Sequence, residues 1–84
     1  MKMTFAERQD KLTAISSKVR SVVRSCVTPE QLNASLKWGS TVLHNWTEHL
    51  CKGLGSFQCL YMHGTRDAMI DSLAEIKAQK AIAE

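Results

Sequence analysis

Helix breakers are scarce, with one proline and four glycines in 84 residues. No stretch alternates apolar and polar residues with period two, and the β-branched residues are scattered, which excludes a sheet. Without strands there is no Gly-rich strand-to-helix loop to cradle a phosphate. The longest apolar runs are a few residues, too short to cross a bilayer, and the first residues carry no signal-peptide apolar region. Cysteines number three, an odd count with no Cys-x2-Cys knuckle. Free thiols in a reducing cytoplasm are expected, not a disulfide framework.

Charge of one sign is also sparse: eleven Lys/Arg stand against eight Asp/Glu, a net +3. Its distribution is uneven. Residues 1–27 hold six bases and two acids, 28–52 two and two, and 53–84 three and four. The excess belongs to the first segment and makes only a mild field.

What the chain does have is a globular balance, 44% apolar and 23% charged. At this length it forms one domain over 1–84, hiding about 60% of its unfolded surface and leaving no room for a deep catalytic cleft.

Three segments carry helix punctuation. Thr4 with Glu7 is a capping box, and Phe5, Leu12, Ile15, Val19, Val22 and Cys26 follow at alternating spacings of three and four, with Arg8 as the gap. Thr28, Pro29 and Gln31 mark a second start, with Val27 and Leu32 as a hydrophobic staple. Its stripe is Leu32, Leu36, Gly39, Leu43, Trp46, Leu50, ended by Lys52 and Gly53. Ser56 reads as the third cap, and Gly64-Thr65 is where the third helix would kink or break if it does so anywhere. The helices are expected over 4–26, 29–52 and 56–81.

These stripes predict an all-α, antiparallel up-down-up three-helix bundle. A hairpin turning at Val27-Thr28 pairs Phe5 with Leu50, Leu12 with Leu43, Ile15 with Gly39, Val19 with Leu36 and Val22 with Leu32. Arg8 then falls on the indole of Trp46. Turning near residues 53–56 pairs Met62 with His49, Met69 with Val42, Leu73 with Trp38 and Ile76 with Ser35.

No catalytic arrangement emerges, since no Ser or Cys nucleophile is matched to a histidine and a third group. Catalytic residues, metal and cofactor are all expected to be absent. Cys51 and Cys59 would be level across the second turn, with His63 four residues beyond Cys59. A zinc site there is conceivable, but buried cysteines acting as small hydrophobes is the simpler account. Lys11 and Lys18 line one flank of the first seam, Arg20 and Arg24 the other side. Split cations of this kind read first as a solvated face and second as a nucleic-acid contact. Phe57, Tyr61, Gly64 and Ala68 form a further apolar face, with Leu60 to one side. Part of it is expected to pack on the first helix, with Phe57 near Phe5 and Gly64 near Leu12. Whatever stays exposed makes Phe57, Leu60 and Tyr61 the contact residues for a partner.

The stretch Ser25-Cys26-Val27-Thr28-Pro29-Glu30-Gln31-Leu32, a Trp-containing helix and Tyr61-Met62-His63-Gly64 together resemble short helical proteins of bacteriophage accessory genes. The resemblance covers about the middle half of the chain and rests largely on capping chemistry. It implies a protein that acts in the host cytoplasm by binding a host or defence component, and it transfers no functional residue. The expected function is therefore a non-catalytic protein–protein interaction module that inhibits or modulates its target, with a second copy of the chain as another candidate partner. A small basic nucleic-acid-binding regulator is the alternative, and no membrane association is expected.

Overall fold

The computed structural model describes residues 3–83; Met1, Lys2 and Glu84 of the expected domain lie outside it. Three helices, α1 (Phe5–Arg24), α2 (Pro29–Cys51) and α3 (Ser56–Ala83), pack pairwise as an up-down-up bundle, with no strand among the described residues. No helix among them is long and apolar enough to cross a membrane.

Local chemistry sets the boundaries. At the start of α1, Thr4 Oγ1 accepts from the Glu7 amide at 3.1 Å while Glu7 Oε1 accepts from the Thr4 amide at 3.0 Å, so the capping box is complete. Hydrogen bonding to Thr4 holds the Glu7 carboxyl below its ordinary value of 4.5. Thr28 caps α2 in the same way, accepting from the Gln31 amide at 3.1 Å. The Gln31 side chain reaches one residue further back, to the Val27 amide. Val27 itself is 82% exposed, so the expected staple with Leu32 does not form. Gly53, at φ 83°, supplies the left-handed turn residue after α2. Ser56 is the first residue of α3 and not its cap; the first α3 amide bond runs from Cys59 to the Gly55 carbonyl. Helix α3 continues without interruption through Gly64-Thr65.

The core consists of Leu12, Val19, Val23, Leu43, Leu50, Met62, Leu73 and Ile76. Val23, not Val22, completes the α1 stripe: Val23 is fully buried and Val22 is 43% exposed. Helix α1 ends at Arg24, where Ser25 donates its hydroxyl to the Val22 carbonyl at 2.7 Å. Cys26 therefore lies in the connection and not on the helical stripe.

The seams are those anticipated, but the registers move. Val19, not Ile15, fits against Gly39, and Arg8 reaches Leu50, not Trp46. Helix α2 is thus displaced by about three residues, close to one turn, and its first turn overshoots the end of α1. A Cβ at Gly39 would fall 2.6 Å from Val19 Cγ1 and 3.3 Å from Leu73 Cδ1. Gly39 is where all three helices converge, so Leu73 meets Gly39 and the neighbouring Trp38 turns outward.

Two cations fasten the bundle ends. Buried Arg8 donates through one terminal nitrogen to the Leu50 and Lys52 carbonyls, and through Nε to Met3 O at 3.1 Å. Lys80 donates to the Arg24 carbonyl at 2.8 Å and the Cys26 carbonyl at 2.7 Å. Each supplies positive charge and donors to the C-terminal carbonyls of another helix, where the macrodipole and the unpaired acceptors favour both.

Candidate functional site

The short Lys52–Gly55 turn launches α3 beside the start of α1, and the first two turns of α3 collect most of the chain's chemistry. Phe57 is 91% exposed, Leu60 71% and Tyr61 61%. The face continues through exposed Gly64 and Ala68, and nothing lies within 4 Å of where a Gly64 Cβ would stand. Contact with α1 is made by Tyr61, whose ring lies edge-on to Phe5 at 5.9 Å. Phe5 therefore meets Tyr61, one turn along α3 from the expected Phe57, and no side chain, Leu12 included, lies within 4 Å of a Cβ at Gly64. Phe57 is left almost fully exposed.

The opposite surface of the same two turns, with the end of α2, carries the sulfur ligands. Cys51, Cys59 and His63 place Sγ, Sγ and a ring nitrogen all within 4.8 Å of one another. Cys59 Sγ lies 3.7 Å from His63 Nε2, and Cys51 Sγ donates to the Cys59 carbonyl at 3.8 Å. Burial pushes the Cys51 thiol up to about 11, and its interaction with the Cys59 thiol adds to the rise. The positive charges of Arg66 and Arg8 act in the opposite direction. Cys26 is remote from this group, at the other end of the bundle, where its thiol lies within hydrogen-bonding reach of Val22 O, Gln31 O and Ser35 Oγ.

The four basic candidates of α1 do not share one environment. Lys11 Nζ sits over the Trp46 ring at 5.4 Å, the cation–π contact that had been expected of Arg8. Arg20 is half-buried, with its Nε enclosed and unpaired, whereas Lys18 and Arg24 are exposed. The structure adds a surface that the stripes had placed inside: Val22 and Trp38 join Gln31, Ala34 and Ser35 in lining a shallow groove between α1 and α2. The signal available in sequence was Trp38, a quarter turn off the first seam. Asn33-Ala34-Ser35 and Asn45-Trp46-Thr47 match the Asn-x-Ser/Thr pattern, but their hydroxyls turn inward, with Ser35 bonded to Leu32 O and Thr47 to Leu43 O.

No family model, curated protein or solved structure matches this chain.

Proposed function

We propose that this protein acts by binding another protein, with Phe57, Leu60 and Tyr61 as its contact residues. One observation carries the reading: three large apolar side chains, each more than 60% exposed, stand together on the first two turns of one helix. Contiguous apolar surface of this kind on a small domain favours association, and aromatic residues are enriched among the side chains that dominate binding energy. Tyr61 is braced by Phe5, so part of its rotamer freedom is already lost before a partner arrives. The resemblance to phage accessory proteins suggests a host or defence component as the target, inhibited or modulated by occupation of its surface. Lys18 and Arg24, exposed on α1, support the competing reading of a nucleic-acid contact.

Site-specific photocrosslinking in the producing cell separates these readings. A crosslinker at position 57 is expected to capture a protein, and the capture should be lost with Tyr61→Ala, which truncates an anchor contributing about 2 kcal/mol or more. A crosslinker at position 18 is expected to capture little. Nucleic acid crosslinked at position 18, with nothing captured at 57, would replace this reading with the electrostatic one, which weakens steeply with salt.

A further inference from the structure

Cys51 closes α2, while Cys59 and His63 lie four residues apart on the first turns of α3. Their ligand atoms converge across the Gly53 turn to within 4.8 Å of one another. Tetrahedral coordination with metal–sulfur bonds near 2.3 Å and metal–nitrogen bonds near 2.0–2.1 Å sets ligand atoms about 3.8 Å apart for two sulfurs and about 3.6 Å apart for sulfur and nitrogen. The Cys59–His63 separation of 3.7 Å already matches such an edge. Helical spacing of four puts both side chains on one face, so α3 alone provides two ligands in a chelating arrangement.

We propose that Cys51, Cys59 and His63 form a soft-metal site that takes a divalent ion of the zinc type. Its fourth corner is left for water or another ligand. This proposal stands independently of the protein-binding reading. Two sulfurs and one imidazole form a donor set suited to zinc and poorly suited to magnesium or calcium, which prefer oxygen. Loading the site moves one thiol proton from each cysteine to solvent, and the two thiolates then neutralise the dication. Arg8 and Arg66 lie near Cys51. The neighbouring carbonyls hold Arg8, and Asp67 holds Arg66 at 3.0 Å, so neither cation occupies the site itself. Filling it would tie the last residue of α2 to the first turns of α3, the same turns that present Phe57, Leu60 and Tyr61.

The test is titration of the fully reduced chain, under a non-thiol reductant, with Co2+ and then with Zn2+. One equivalent of Co2+ should give the intense visible bands of a tetrahedral ion and a thiolate charge-transfer band, both erased by one equivalent of Zn2+. Zn2+ should raise the melting temperature. Cys59→Ser should roughly halve the charge-transfer signal and weaken binding at least tenfold, and His63→Ala should weaken binding similarly while keeping both thiolate contributions to that signal. Cys26→Ser should bind as the parent does. Circular dichroism identifies any variant that fails to fold, and His63→Ala, altering only a half-buried side chain, keeps the test valid if a cysteine variant does so. Absence of binding by the reduced chain, an octahedral cobalt spectrum, or equal binding by Cys59→Ser and the parent would each overturn the site.

Discussion

Val19 presses on Gly39 so closely that a single added methyl group would overlap it. The contact distance would be 2.6 Å, and the obstructing atom belongs to a fully buried β-branched side chain with few alternative rotamers. Gly39→Ala should therefore destabilise the bundle by about 1–3 kcal/mol, although alanine favours helix by about 1 kcal/mol over glycine. Urea unfolding of Gly39→Ala, Val19→Ala and the double variant checks this, because Val19→Ala should absorb most of the penalty. Additive losses would show that the two residues do not meet.

Gly64 is the opposite case. It lies in the middle of a helix with open space where its Cβ would be. Gly64→Ala should stabilise the chain by about 0.5–1 kcal/mol, a rise of about 4–8 °C in melting temperature per kcal/mol for a domain of this size. Thermal unfolding followed by circular dichroism is sufficient. A loss of stability would mean that this position is covered.

Arg8 reads in sequence as an error in an apolar stripe and in the structure as a ligand for the end of another helix. Replacing it with methionine keeps the aliphatic stem and leaves the Leu50 and Lys52 carbonyls without their donor. Arg8→Met should cost about 1–3 kcal/mol, the penalty for a part-buried acceptor left unpaired. Equal stability of parent and variant in a denaturant titration would show that water replaces the guanidinium at no cost.

Glu7 gives a pH dependence with a definite sign. Its carboxyl is held below 4.5 when folded, so the folded state favours the ionised form. That contribution is present above the unfolded value and disappears as pH falls through the folded one. Melting temperature should decline as pH is lowered below about 4.5, the ordinary value from which folding depresses this group. In Glu7→Gln, which retains the box but cannot titrate, the decline should be shallower. Identical acid limbs would remove Glu7 from that account.

Element identity was legible because it rests on local chemistry. Thr4, Thr28, Pro29 and Gly53 each act within a few residues of themselves, as capping and turn rules require. Register was harder to read for a physical reason. Sliding one apolar stripe past another by a helical turn again sets apolar residues opposite apolar ones. Only the steric coincidence of Val19 with Gly39, which no spacing rule contains, selects among the slides. Val22 and Val23 differ in burial although they are adjacent and identical, because neighbours on a helix point about 100° apart and the drift of the seam around the helix selects Val23. The exposed trio Phe57, Leu60 and Tyr61 could be singled out because α3 has more apolar faces at its start than two neighbours can cover. The convergence of Cys51, Cys59 and His63 was legible too, since a short turn between antiparallel helices sets the two cysteines level and helical spacing adds the histidine.

The bond from Lys80 to the Arg24 carbonyl spans 56 residues, most of the chain. A nascent chain that has emerged as far as α2 can pair its first two helices, yet the carbonyls ending α1 still face water. They are capped by protein only when the last turns of α3 emerge and dock. The bundle is thereby finished by residues of the third helix, made after the two helices whose connection they fasten. Shortening α3 from its far end would be felt first at the α1–α2 connection, remote from the cut in sequence and adjacent to it in space.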